Sequence, residues 1–250
     1  MIRISEVKIP ELPTERPRRL YVYLPKGYEK SGERYPVLYM FDGHNVFFDS
    51  HATYGKSWGM KEYLARSKRK VIVAAVECAH EGVRRLNEYA PWDFKATKLG
   101  SMEGLGRLTM EWFTGVLKPV IDSEYRTLPE REHTAIAGSS FGGIMALYAA
   151  VEYNAVYSRA AALSPSLWVN PSGMRELITS HELRDSTAIY IDMGTAEADA
   201  KDIRALFNTA KLLSQSGACV EARMERGAEH SEAFWEKRIP VFFDFFDTVS

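Results

Sequence analysis

Six short apolar runs, separated by stretches of helical periodicity, set the strongest limit on the folds open to this chain. They read PVLYMFDG (36–43), KVIVAAVECA (70–79), HTAIAGS (133–139), RAAALSP (159–165), AIYIDMG (188–194) and CVEARMER (219–226). Runs this short and mostly continuously apolar suit strands covered on both faces. Between them the pattern turns helical around residues 59–67, 103–123, 141–153, 171–181, 197–215 and 231–248. Strand alternating with helix builds a mostly parallel sheet with helices on both faces.

Two further strand candidates, IRISEVKIP and RRLYVYLP, come first, joined through Pro10 and Pro13 and followed by the turn KGYEKSGERYP. Their close spacing predicts an antiparallel start. Eight strands, the first two antiparallel, give the outline of an α/β-hydrolase fold, with no large lid between residues 59 and 118. No repeat, low-complexity tract or long linker interrupts it, so residues 1–250 read as a single domain. A chain of 250 residues that is 46% hydrophobic can bury one sizeable core.

Charge narrows the partners. With 32 basic and 33 acidic side chains the formal charge is −1, which leaves no long-range field to draw in nucleic acid or an anionic membrane. The basic clusters Arg16–Arg19 and Lys68–Lys70 border apolar runs and read as solvated edges. No apolar run approaches the roughly 20 residues that cross a bilayer, and MIRISEVKIPELP lacks the pattern of a secretory signal. Cys78 and Cys219 lie far apart in strand-like runs, as reduced, buried thiols would. A cytoplasmic location is therefore expected, and a homo-oligomer is compatible with the sequence.

Chemistry enters at TAIAGSSFGG. Gly138, Ser140 and Gly142 form G-x-S-x-G between an apolar strand and a helix. A sharp strand-to-helix turn there projects the central side chain from the sheet edge, and the flanking glycines remove β-carbons that would clash. This geometry selects Ser140 as nucleophile over Ser139. A serine needs a histidine to take its proton and a carboxylate to orient that histidine, in the chain order Ser, acid, His. His181 and His230 follow Ser140, and His230 alone lies on a loop after a late strand. The acid belongs just beyond AIYIDMG, in TAEADAKD. Glu197, Asp199 and Asp202 all qualify by type; Glu197 stands first after the turn and is favoured, while Asp199 and Asp202 suit the first turns of the next helix. Asp192 lies inside the strand and is expected to pair in the core or at its rim.

Acyl transfer also needs two main-chain N–H donors for the oxyanion. Phe141, after the nucleophile, supplies one. Gly43 permits a tight turn after the third strand, which makes the N–H of His44 the second. His44, Asp42 and Asp49, with His51 nearby, are spaced too irregularly for a metal site, so no metal and no cofactor are expected. Trp58, Arg84, Arg85, Trp92 and Trp168 lie on loops at the same sheet edge and are candidate substrate-binding residues, with Glu88 and Tyr89 near them.

Four segments, YPVLYMFDGHNVFFD, IAGSSFGG, YIDMGTAEAD and GAEHSEAFW, resemble blocks of the putative esterase family of α/β-hydrolases, which includes feruloyl esterases, esterase D and enterochelin esterase-like enzymes. The likeness runs from about Arg18 to the C-terminus. It implies Ser140 as nucleophile, Glu197 as acid, His230 as base, and the N–H groups of His44 and Phe141 as oxyanion hole. HSE here replaces the H-N-E common in the siderophore-esterase branch. The expected activity is hydrolysis of a small-molecule carboxylic ester through an acyl-enzyme. The alternatives are an acyltransferase, thioesterase or peptidase on the same triad, or a non-catalytic hydrolase-like binding protein.

Overall fold

The computed structural model describes residues 1–13, 16–96 and 100–249. Its main sheet has eight strands: β1 (Ile2–Val7), β2 (Arg18–Tyr23), β3 (Val37–Met40), β4 (Ile72–Val76), β5 (Thr134–Ser139), β6 (Arg159–Leu163), β7 (Ala188–Gly194) and β8 (Cys219–Glu225). They lie in the order β1-β2-β4-β3-β5-β6-β7-β8. β2 runs antiparallel to both β1 and β4, and the other neighbours are parallel. This is the α/β-hydrolase architecture the alternating runs predict.

Period-two alternation divides the strand side chains between two cores. Val37 and Tyr39 of β3, Ala160 and Ala162 of β6, and Ile189 and Ile191 of β7 enter one apolar cluster. Leu38, Met40, Ala161, Leu163, Ala188 and Tyr190 enter the other. The helices are α1 (Met60–Ser67), α2 (Arg84–Glu88), α3 (Gly106–Trp112), α4 (Lys118–Glu124), α5 (Phe141–Glu152), α6 (Pro171–Thr179), α7 (Ala200–Gln215) and α8 (Glu232–Thr248). α1 and α8 cover the second cluster, and α3 to α7 cover the first. α5 is buried on every side from Phe141 to Val151, so it is apolar all round rather than amphipathic. Each of its large side chains, such as Leu147, contributes about 2 kcal/mol by leaving water.

The connections fix where a ligand can bind. From β3 the chain crosses to β4 on one side, and from β4 it returns to β5 on the other side of β3. The helices that follow β3 and β5, α1 and α5, pack on opposite faces. A crevice therefore opens between the carboxyl ends of β3 and β5, the topological switch point at which open α/β sheets bind ligands. Asp42 to Asn45 follow β3, and Ser140 follows β5.

Several local expectations are corrected. The helix expected over 103–123 is interrupted by a π-helical turn at Phe113–Leu117; Pro119, just beyond it, has no N–H to continue the α-helical ladder. α7 begins at Ala200 rather than 197, with Asp199 as its N-cap in a capping box with Asp202. The edge strand β8 is half-exposed along its length, and Cys219 at its start is exposed, because no further strand covers it. Arg18, expected at a solvated edge, is buried in an ion pair with Glu88. α2 and a two-stranded ribbon, Phe94–Ala96 with Gly100–Met102, lie between β4 and α3. Among the described residues no helix is long and apolar enough to cross a membrane.

Candidate active site

Ser140 sits at φ 57°, ψ −120°, a conformation that costs a non-glycine residue about 1–3 kcal/mol and persists only where its surroundings impose it. They impose it by packing. A β-carbon on Gly138 would stand 2.5 Å from the carbonyl oxygen of Gly142, so strand and helix can approach this closely only with glycine there. The Ser140 N–H donates to the Leu163 carbonyl at 3.0 Å, and the Ser140 carbonyl accepts from Gly143, Ile144 and Ser166. Ser139 is buried, whereas Ser140 is partly accessible. The hydroxyl of Ser140 has one hydrogen-bond partner among the described residues, Ser166 Oγ at 3.4 Å.

Glu197 and His230 meet across two loops, after β7 and after β8. His230 Nδ1 hydrogen-bonds Glu197 Oε2, which leaves Nε2 as the nitrogen available to a serine. The loops are laced together: the Thr195 N–H donates to the Glu225 carbonyl at 2.9 Å, and the Ala196 N–H to the Ala228 carbonyl at 3.1 Å. The Glu197 carboxylate also accepts from the Gly194 N–H at 2.7 Å and from the Ser164 hydroxyl at 2.6 Å. Burial pushes the Glu197 pKa up, but the hydrogen bonds from His230, Ser164 and Gly194 outweigh it, so it lies below the ordinary glutamate value.

A scaffold that sequence reasoning missed stands behind the carboxylate. Ser164, at φ 45°, accepts from Trp235 Nε1 at 3.1 Å and from Arg238 Nη1 at 3.0 Å while donating to Glu197. Arg238 is buried and pairs with Asp192 at 2.8 Å; Asp192 also accepts from the Tyr190 hydroxyl at 2.8 Å. Asp192 thus pairs in the core, as its place inside the strand predicts. Burial, only partly offset by Arg238, pushes its pKa up to about 6.

The chain turns after β3 at Asp42, with φ 56°, rather than at Gly43. Gly43 is required for a different reason: a β-carbon there would lie 2.5 Å from the Ala75 carbonyl oxygen on β4. The two Asp42 carboxylate oxygens accept from Arg85 Nε at 2.7 Å and Nη2 at 2.6 Å, and the Asp42 N–H donates to the Tyr89 hydroxyl at 3.2 Å. The first turn of α5 packs on this loop, since a β-carbon on Gly142 would fall 3.1 Å from Phe41 Cβ. Among the described residues, neither the His44 nor the Phe141 main-chain N–H has an acceptor within the fold. Asn45 Nδ2 donates to Glu232 at 3.2 Å, tying the loop to the start of α8.

The candidate substrate-binding residues separate. Trp168, 48% exposed, lines a cavity of about 160 Å³ with Ser166, Glu197 and His230. Phe94 and Phe141 stand edge-on to the Trp168 ring, at 5.9 and 5.8 Å between ring centroids; the sequence does not mark Phe94, because a lone phenylalanine carries no signal of orientation. Trp58 is only 3% exposed and packs on Trp235, so it is core rather than pocket wall. Arg85 is occupied by Asp42, and Arg84 is exposed on α2. Trp92 packs against Tyr148 and lines a different cavity, with Asn170 and Gly173. Glu88 is buried against Arg18.

The metal set weighed in the sequence does not assemble. Asp42 faces Arg85, Asp49 accepts from Ser57, and His51 bonds the Tyr21 hydroxyl. The His44 imidazole is buried beside Thr53 and His80 rather than lining the cavity described above.

The family model described as "Putative esterase" matches residues 13–241. Two relatives align along most of the chain. One is the uncharacterized protein YbbA of Bacillus subtilis (strain 168), 23% identical over 235 residues, covering 88% of this chain and 89% of that protein. The other is an endo-1,4-beta-xylanase/feruloyl esterase of Xylanibacter ruminicola, 25% identical over 228 residues; the match covers 86% of this chain but 27% of that longer protein. Among solved structures, an IroE-like serine hydrolase from Shewanella oneidensis superposes with a TM-score of 0.75 at 18% identity, over 100% of this chain and 78% of that one. The siderophore hydrolase EstA from Aspergillus nidulans gives 0.74 at 16% identity, over 100% and 95%. At these identities the structural likeness is one of fold.

Proposed function

The chain belongs to the putative esterase family, and from that premise we propose that it hydrolyses carboxylic esters through an acyl-enzyme on Ser140, with His230 as base and Glu197 as the acid that orients it. Ser140 Oγ attacks the ester carbonyl while its proton passes to His230 Nε2. The oxyanion accepts hydrogen bonds from the N–H groups of His44 and Phe141, the second helped by the positive end of α5. Collapse expels the alcohol, protonated by the imidazolium. Water then attacks the acyl-enzyme, with the same histidine as base.

The observation that carries this reading is the Glu197–His230 pair, closed through Nδ1, on the cavity whose Ser166 hydroxyl is the hydrogen-bond partner of Ser140. Ser140 and His230 share no hydrogen bond in the structure; His230 is 45% exposed on its loop, and such contacts tighten when substrate displaces water. The ring cluster of Trp168, Phe94 and Phe141 favours an ester with a flat, apolar group, and feruloyl and siderophore esters belong in the substrate panel beside acetyl, butyryl and thioester compounds.

Ser140→Ala and His230→Ala are each expected to abolish hydrolysis of short p-nitrophenyl esters, by about 10³-fold or more, because triad members act as a unit. Near-native turnover in either variant would overturn the assignment. Transfer to an added alcohol or amine in preference to water would identify an acyltransferase.

A further inference from the structure

We propose that His44, Cys78 and His80 form a binding site for a thiophilic divalent cation, with Zn²⁺ as its type ion. One ring nitrogen of each histidine and the Cys78 sulfur lie within 4.8 Å of one another. The fold brings them together because β3 and β4 are parallel neighbours, with Met40 opposite Ala75. His44 leaves the first strand four residues on; Cys78 and His80 leave the second three and five residues on. No local spacing in the sequence reveals this meeting, since α1 and β4 lie between the two loops.

The two histidines are oriented as ligands. His44 is 2% exposed, and its Nδ1 is buried with no hydrogen-bond partner. Its Nε2 faces the Thr53 hydroxyl at 3.0 Å, which fixes the ring and leaves Nδ1 as the idle nitrogen. A buried ring nitrogen without a partner is a cost that the protein alone does not relieve, and a lone pair donated to a metal relieves it. His80 Nε2 lies 2.8 Å from Glu77 Oε1, and Glu77 is itself clamped by Arg19 at 2.7 and 3.1 Å. A carboxylate behind an imidazole is the arrangement that orients metal-binding histidines. The two rings stand edge-to-face at 4.5 Å between centroids, and Cys78 is 2% exposed beside them.

Two imidazoles and a thiolate supply the nitrogen and sulfur donors that zinc takes, with bonds of about 2.0–2.1 Å to nitrogen and 2.3 Å to sulfur, and three protein ligands leave the fourth position to water. Tetrahedral geometry then spaces the donor atoms about 3.5 Å apart. His80, half-exposed, is the ligand free to close that gap, and its open side is the entry path. On binding, a Zn–S bond forms and the Cys78 thiol proton leaves to solvent, so each ion releases one proton. Burial and the neighbouring Asp42 carboxylate favour the thiol over the thiolate at Cys78, so the bond to the metal must displace that proton. The site shares His44 with the proposed oxyanion hole but uses its imidazole rather than its main-chain N–H, and metal binding is read without any ester, so its test is distinct from that of the proposed ester chemistry.

The test is titration of the reduced, full-length chain with Co²⁺ alone, followed by displacement with Zn²⁺. The expected result is one equivalent of Co²⁺ bound, with the thiolate-to-cobalt charge-transfer band and the visible bands of a tetrahedral ion, and one proton released per metal by calorimetry in buffers of different ionisation enthalpy. Cys78→Ala should remove the charge-transfer band. His80→Ala should weaken binding at least tenfold, and because His80 is half-exposed this variant keeps the test open if the Cys78 variant does not fold. Cys219→Ala, which removes the exposed thiol, should bind like the parent. A charge-transfer band that survives Cys78→Ala, affinity unchanged in His80→Ala, loss of binding in Cys219→Ala, or no stoichiometric binding would each overturn the site.

Discussion

Replacing Ser164 with alanine removes one hydroxyl on which three hydrogen bonds converge, those from Trp235 and Arg238 buried and that to Glu197 partly so. Donation to the ionised Glu197 is worth about 1.5–3 kcal/mol, and leaving the buried Trp235 indole N–H without an acceptor costs about 1–3 kcal/mol more. Arg238 keeps its bond to Asp192 at 2.8 Å, so its loss is small. A total of about 2.5–6 kcal/mol, in a chain of 250 residues, lowers the melting temperature by about 5–24 °C. Catalysis should suffer separately. Glu197 retains the Gly194 N–H and His230, so the imidazole is loosened rather than released, and kcat should fall about ten- to a hundredfold with KM unchanged. Circular-dichroism melting and initial rates on p-nitrophenyl acetate measure the two effects. A variant that melts with the parent and turns over at its rate would refute the claim that Ser164 holds the acid.

Three further outcomes are expected. Glu197→Gln should reduce kcat by about 10³–10⁴-fold, by stabilising the wrong histidine tautomer, whereas Asp199→Ala should cost about 1 kcal/mol of stability as a lost N-cap and leave kcat unchanged; the reverse ranking would reassign the acid. Gly138→Ala places a methyl 2.5 Å from the Gly142 carbonyl and should cost about 1–3 kcal/mol with a marked loss of activity, read from denaturant melts and the same rate assay. Asp192, held protonated up to about pH 6 by burial, binds its proton more tightly folded than unfolded. Its contribution to stability is therefore full below about pH 4 and is lost as pH rises to about 6, by roughly 3 kcal/mol. Urea melts across that window should show the parent losing stability relative to Asp192→Asn, and parallel profiles would contradict the assignment.

The parts of the molecule legible in the sequence are those written as local pattern. Continuous apolar runs located the strands because both sheet faces are covered, and β8, whose outer edge is open, is where that rule overstated burial. The elbow at Ser140 is legible because its tight strand-to-helix turn demands glycine on either side, and the meeting of Glu197 with His230 because each follows a strand at the same sheet edge. What was not legible depends on contacts between distant segments. Ser164 meets Trp235 and Arg238 across separations of 71 and 74 residues, and nothing local marks the serine of ALSP as the hub of a buried network. Trp58, Trp92 and Arg85 were misread for the same reason: a loop sequence shows that an aromatic or a cation is near the sheet edge, but not which way it turns. Arg85 turns to Asp42, and Trp58 to the core. The meeting of His44 with Cys78 and His80 belongs to this class too, since it rests on strand adjacency rather than spacing.

The most direct test of the central claim is to find where the covalent intermediate forms. The chain is treated with a fluorophosphonate, or acid-quenched during turnover of a slow p-nitrophenyl ester, and the adduct is located by peptide mass spectrometry. The account predicts a single adduct on Ser140, at one per chain, absent from Ser140→Ala and formed far more slowly in His230→Ala. An adduct on any other residue, or an unmodified Ser140 in an enzyme that continues to turn over ester, would contradict it.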